Sequence, residues 1–315
     1  MRAPRIATVG LASWDTLIAV NRYPAAGSYE IVDLISEQPG GTTSNAAIAL
    51  AKLGAEVRFA GMIGDDRQGE QLRSALAIAG VDLRWLSVRA GERTDASFII
   101  VSRQPADRTI FWPQGAHIVK GDALDIPAIF GHDLVLLDVD DMPLRRFLSD
   151  LPAHTLPATR LLGTLVYVAD NSIDDRLEVM LRHDAIVGNE REFLVVTGAA
   201  DLESAVALVR SKMPGNNLRT AIVSRGERGA IAFTATEYWE HPAYAIDVVD
   251  TTGAGDAFNA GICYGMALRW PWERTLTLGN ACGGLACRAL GAQASLPDWD
   301  EIAALTGIAV NDWLS

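Results

Sequence analysis

Lysine is nearly missing from this chain: among 315 residues it occurs only as Lys52, Lys120 and Lys212, none of them in a Gly-Lys-Ser/Thr context. A P-loop is thereby excluded, because its lysine neutralises the outer phosphates of a nucleotide. Any phosphate bound here must be met by main-chain N–H groups, a metal or arginine. Cysteine is as scarce, and Cys263, Cys282 and Cys287 form no CxxC pair. Neither a disulfide framework nor a zinc site is implied, so the three are read as buried thiols. The five histidines lack metalloprotease spacing. No apolar run reaches the roughly 18 residues of a membrane helix. Positive charge is short as well: a formal net charge of −12 argues against nucleic acid as a partner, since that affinity comes from neutralising phosphates. Met1 to Gly10 carries two arginines but meets a glycine before a signal-length apolar run develops. A cytoplasmic location without a membrane partner is the expectation.

What is present reads as alternating α/β structure. Hydrophobic residues at 49% and charged residues at 21% are ordinary globular usage. Ile6 to Leu11 is short, apolar and followed by turn-prone residues, as a buried central strand of a parallel sheet would be, ending near Asp15. It leads into Gly10-Leu-Ala-Ser13 rather than a three-glycine turn, which excludes a Rossmann dehydrogenase. Ser44 to Leu53 predicts a helix closed by Gly54, Glu56 to Ala60 a strand, and Gly69 to Ala79 a helix ended by Gly80. Apolar runs at 134–138, 161–166, 185–187, 221–224 and 230–233 predict further strands. Residues 19–38, and the runs 97–102 and 109–112 about a turn at 104–107, read as an antiparallel ribbon. The proline-bearing stretch 151–159 is too short and apolar to divide the chain. One domain over 1–315 is expected, a doubly wound sheet with a β flap built from about 13–38 and 94–113.

The strongest motif is Asp250-Thr-Thr-Gly-Ala-Gly-Asp-Ala-Phe-Asn-Ala-Gly261, a glycine turn opening into a helical run that reaches about Leu268. Gly253 and Gly255 permit backbone angles closed to other residues, so successive N–H groups can point into one concavity at a helix N-terminus. An anion is stabilised there by hydrogen bonds and by the dipole. Asp256, in the first helical turn, lies where a carboxylate would take a proton from an incoming hydroxyl. An aspartate in this place also serves as a plain helix cap.

These twelve residues resemble the C-terminal signature of the PfkB family of carbohydrate kinases, which includes ribokinase, fructokinases and adenosine kinase. Gly40-Gly-Thr-Thr-Ser-Asn45, followed by Leu53-Gly54, Gly61, Gly64-Asp65 and Gly69, resembles the family's N-terminal signature. The last three glycines are read as turn chemistry alone. The resemblance implies a ribokinase-like three-layer α/β/α fold, mostly parallel in its central sheet, with a small β-sheet lid. It also implies ATP-dependent transfer to a sugar hydroxyl, with Asp256 as base and Gly253, Ala254 and Gly255 as anion hole. Gly40, Gly41 and Asn45 would line the sugar site, and Asp15 would bind sugar hydroxyls, two of which one carboxylate can accept.

Further segments are similar to the family's nucleotide elements. Val187-Gly-Asn-Glu190-Arg-Glu resembles its Asn-x-x-Glu element near Mg2+. Asn189 fits it, Glu192 has the family spacing, and Glu190 remains the alternative acid; an Asn followed three residues later by Glu is also an ordinary capping box. Ser224-Arg-Gly226-Glu-Arg-Gly229 resembles the loop near the ATP phosphates. Asn280 and Leu290-Gly291-Ala-Gln-Ala-Ser295 resemble the adenine wall and, with Asp250 and Thr252, a monovalent-cation site that would take K+. Asp138, closing an apolar strand, is either a substrate-selecting acid or a buried capping one. Ribokinase-like members usually carry Gly-Lys-Gly after the paired glycines, whereas Thr42 and Thr43 stand here. No Asp-x-Asn-x-Arg element of acid-sugar kinases is seen around 162–164. A ketose such as a fructose derivative is the leading expectation for the acceptor, a nucleoside the second. A homodimer paired through the lid is expected, and a catalytically silent sugar- or nucleotide-binding sensor is the competing class.

Overall fold

The computed structural model describes residues 2–104, 106–154, 160–170 and 175–314. Residue 105 of the turn expected at 104–107, and 155–159 of the proline-bearing stretch, lie outside the described residues. The strands are β1 (Arg5–Gly10), β2 (Ser13–Val20), β3 (Val32–Gly40), β4 (Glu56–Gly64), β5 (Asp82–Arg89), β6 (Asp95–Arg103), β7 (Ala106–Phe111), β8 (Leu134–Asp138), β9 (Arg160–Thr164), β10 (Ala185–Asn189), β11 (Thr220–Ser224), β12 (Ala230–Phe233) and β13 (Tyr238–His241). Nine of them form an open sheet in the order β13-β12-β11-β10-β9-β8-β1-β4-β5. It is parallel except where β12 and β13 add antiparallel at one edge. The other four form a smaller sheet, β3-β2-β6-β7.

The apolar runs are continuous because both faces of the large sheet are covered. Along β8, Leu134 and Leu136 join one core cluster while Val135 and Leu137 join another on the opposite face. On the first face lie the helices Thr42–Lys52, Ala254–Ala267 and Trp272–Ala286, contributing Leu50, Phe258 and Leu278 among others. Helices Glu190–Thr197 and Leu202–Lys212 cover the second face through Phe193 and Val209. Three layers result, as the resemblance implied.

Three differences from the sequence reading have physical causes. β1 ends at Gly10, and Asp15 lies inside β2 of the small sheet. Leu11 and Ala12 are buried in the crossing between the sheets, so the apolar run conceals the break. β5 and β13 were not foreseen, because both are edge strands whose half-exposed, charged residues give no apolar run. Gly255 is helical and has no positive φ; only Gly253, at 76°, is left-handed.

Candidate active site

Strand order reverses at β1, with β4 and β5 on one side and β8 to β11 on the other. Ligands of open α/β sheets bind at the carboxyl ends of strands beside such a switch point. There Gly10 is registered with Asp138. A side chain on Gly10 would overlap the Asp138 carbonyl and the Thr43 hydroxyl. β3 delivers Gly40 and Gly41 to the same place and passes at once into the Thr42–Lys52 helix. Gly41 has φ 89°, and a Cβ on Gly40 would overlap the Asp15 carboxyl. The paired glycines thus make room for Asp15 and for the chain reversal.

Asp15 is 5% exposed and accepts from the Ser13 hydroxyl at 2.7 Å. Burial pushes its carboxyl up to about 6 against the Ser13 and Ser97 hydroxyls, which hold it down. Asn45, 4% exposed, donates from Nδ2 to Asp256 Oδ2 at 2.8 Å. Asp256 occupies the first turn of its helix, partly open to solvent. Its carboxyl is pushed up to about 7, first by burial and then by the carboxylates of Asp138 and Asp15, while Asn45 and Arg108 oppose the shift. A general base works best with a pKa near the operating pH.

The turn before Asp256 is held from behind. Asp250 Oδ1 accepts from the Thr252 main-chain N–H and hydroxyl at 3.0 and 2.9 Å, and Oδ2 from the Gly291 N–H at 2.9 Å. Ser295 is turned elsewhere, its hydroxyl donating to the Ala286 carbonyl. The Ala254 N–H donates to Thr251 O at 3.2 Å across the turn. Among the described residues no acceptor meets the N–H groups of Gly253, Gly255 and Asp256. Unpaired amides at the start of a 14-residue helix form a ready anion site. Gly255 contributes open space instead of unusual backbone, since nothing lies within 4 Å of where its Cβ would be.

Beside this turn is a cleft of about 590 Å3 walled by Ser224, Gly226, Gly229, Gly255, Phe258 and Asn280, among others. The Asn280 amide holds the end of β13, donating to the carbonyls of His241 and Pro242. Asn189 is registered with Ser224 at the neighbouring strand end. With Glu192 it forms the capping box in full, and its Nδ2 also donates to Glu192 Oε1 at 2.7 Å. Glu190 pairs with Arg228, which sits in the cleft loop.

Asp138 is buried at the carboxyl end of β8. It is 1% exposed, and its two oxygens accept from the hydroxyls of Thr42 and Thr164, with Arg145 at 4.0 Å. Thr43 is likewise turned inward, accepting from the Leu11 N–H. Three residues escaped the sequence reading. Arg108 of β7 donates to Thr251 Oγ1 at 3.1 Å and acts on Asp256 from the small sheet. Asp95 takes both oxygens to Trp112 Nε1, at 3.0 and 2.8 Å, and is pushed up to about 6 by burial. Gln293 bonds Asn45. No local pattern marks the first two, because only the pairing of β6 with β7 and β2 brings them to the site; Gln293 lies inside a run whose resemblance pointed to a different role.

Comparison with known proteins identifies the family and the fold. The chain is 29% identical over 304 residues to an ATP-dependent ribose-1-phosphate kinase of Halopiger xanaduensis, covering 95% of this chain and 97% of that protein. It is 28% identical over 289 residues to a fructokinase of Klebsiella pneumoniae, covering 84% and 90%. The structure of Arabidopsis thaliana ribokinase complexed with ribose and ATP superposes with a TM-score of 0.82 at 24% identity, covering 98% of this chain and all of that one. Residues 3–299 match the family described as pfkB family carbohydrate kinase. The chain belongs to the pfkB family of carbohydrate kinases and is a phosphotransferase with an alcohol group as acceptor.

Proposed function

We propose that this protein transfers the γ-phosphate of ATP to a hydroxyl of a small, unphosphorylated sugar, with Asp256 as the general base. The observation that carries the reading is the meeting of the Asp256 carboxylate with the unpaired amides of Gly253, Gly255 and its own N–H, beside a cleft of nucleotide size. The acceptor hydroxyl gives its proton to Asp256 as its oxygen bonds to the γ-phosphorus. The bond from that phosphorus to the bridging oxygen breaks, and ADP leaves. The amides and Arg108 stabilise the charge on the phosphoryl oxygens. No cluster of three or more metal-binding side chains occurs among the described residues. Mg2+ would arrive on the nucleotide phosphates, with Glu192 reaching it through water. When bound, the ion would supply charge neutralisation. The cation turn at Asp250, Thr252 and Gly291 would take K+ as a brace behind the anion site.

Acidity of the acceptor side supports an unphosphorylated substrate. Asp15, Asp95 and Asp256 are all pushed upward from the usual carboxylate range, and neighbouring acids contribute to each shift. A phosphate already on the sugar would add negative charge among them. Ketoses, fructose derivatives first, are the acceptors to try, because no lysine follows the paired glycines. A nucleoside is the second reading. It is favoured by Trp112, 39% exposed beside Asp95, whose open face would stack on a base.

The small sheet would act as a lid and as a dimer contact. Its pairing puts Asp15 and Arg108 on one face. Ile18, Ile35, Phe98, Ile100 and Phe111 lie on the other, where Ile35, Phe98 and Phe111 are 62%, 44% and 56% exposed. An apolar face of this kind marks an interaction surface.

The test is Mg2+-dependent ATP consumption across sugars, sugar phosphates and nucleosides, with Asp256→Asn alongside. A loss of about 10²- to 10⁴-fold in kcat is expected for the variant. Undiminished turnover in Asp256→Asn would overturn the base assignment. Ligand-induced melting shifts without any turnover would favour the silent sensor.

A further inference from the structure

We infer that Gln293 is a positioning residue that orients Asn45 and thereby keeps Asp256 in the form able to accept a proton; the inference rests on Asp256 being the base. Gln293 Nε2 donates to Asn45 Oδ1 at 2.8 Å and to the Pro39 carbonyl at 3.1 Å. Both partners are acceptors, so only the NH2 end of the Gln293 amide can face them. That fixes its neighbour in turn. The Asn45 carbonyl looks toward Gln293, and its NH2 looks toward Asp256 Oδ2. Three side chains from three distant stretches of sequence therefore form one chain of donors with a single direction.

The direction matters because an amide is two-sided. Turned over, Asn45 would present its oxygen to Asp256, an arrangement that repels the carboxylate and welcomes the protonated acid. With Gln293 holding the observed sense, Asn45 stabilises the ionised base, and its bond lowers the Asp256 pKa against burial. Oδ2 is occupied by this bond, so the proton from the acceptor hydroxyl goes to Oδ1. The charged groups acting on Asp256 are Asp138 of β8 and Asp15 of β2, which oppose ionisation, and Arg108 of β7, which favours it. None of them contacts Gln293 in the chain of donors. Through Pro39, the residue before Gly40, the same NH2 group also pins the end of the lid strand β3 to the base.

The experiment is the pH profile of kcat/KM for the full chain with Gln293→Met and Gln293→Glu, using the best acceptor from the sugar panel. The acidic limb is expected to move upward by about one pH unit in Gln293→Met, a roughly tenfold loss below the limb that vanishes at high pH. Gln293→Glu removes both donors and adds a charge, so its limb should move further. A uniform loss across pH in a variant with wild-type melting temperature would overturn the proposal, as would collapse of the fold in both variants. Asp256→Asn separates the two levels. If it is inactive while the Gln293 profiles stay unmoved, only the positioning role fails; if it retains turnover, the base assignment itself fails.

Discussion

The large and small sheets are built from similar residues and have opposite relations to water. In β1, β8 and β11 nearly every side chain is sealed, with Ile6, Leu134, Leu137 and Ile222 at 0% exposure. In the small sheet full burial is confined to the middle of the face toward the site, where Leu17 and Ile99 are 0% and 3% exposed, while Ile110 on that face and Ile35 and Phe111 on the other are open. Hydrophobic burial scales with apolar area removed from water, so stability should reside in the first sheet and adjustability in the second. The acceptor chemistry proposed above would sit at their junction: Asp15 and Arg108 come from the small sheet, Asn45 and Asp256 from helices packed on the large one.

The widest separation between the two should come from core truncation. Phe59→Ala in β4, where the ring is fully buried against Gly61, is expected to destabilise by about 3–5 kcal/mol in chemical denaturation. KM for the acceptor should stay within twofold, roughly, under conditions where the variant is folded. A large KM change would mean that the two sheets are not separable. In the outer face of the lid, Ile35→Asp should leave the subunit fold intact and shift light scattering from dimer to monomer. Unchanged mass at working concentration would remove the lid as the dimer contact.

Arg108→Ala tests the junction from the lid side. Its bond to Thr251 joins β7 to the anion turn. Removing it should lower kcat/KM by about tenfold, worth ~1.4 kcal/mol, with melting temperature unchanged. Equal activity in the variant would place the arginine outside the reaction.

How much of this was legible in sequence follows the same division. Strands buried on both faces announce themselves: the run 134–138 coincides with β8, and the helix expected after the glycine turn runs from Ala254 to Ala267. Fully exposed or edge strands do not, because charge on one face dilutes the pattern, as in β5 and β13. Site residues fixed by a local motif, Asp256 and Asn45, are found bonded to each other across 211 residues of sequence. Asp138 reads the same in sequence whether it serves substrate or fold, and its bonds to the hydroxyls of Thr42 and Thr164 join strand ends that no local pattern connects. Arg108 and Asp95 depend on strand register, which a single sequence does not encode locally.

The smallest effect expected is also the one that changes sign between function and stability. Asp15 has a folded pKa of about 6, raised chiefly by burial from 3.8. A raised acid favours the fold while protonated, so its contribution is full below the unfolded value and is lost as pH climbs from about 4 through 6. At pH 8 the ionised, buried carboxylate weighs against the native state. Asp15→Asn removes that charge but weakens the bonds from Ser13 and Ser97, leaving a net gain on the order of 1 kcal/mol at pH 8 and none near pH 4. Thermal melts of both proteins without ligand would check it. Activity should fall in the same variant, since the amide accepts fewer sugar hydroxyls than a carboxylate. A variant less stable at pH 8 than at pH 4, relative to wild type, would show that Asp15 is a structural acid of β2, and the lid would then carry no stored charge for an acceptor to relieve.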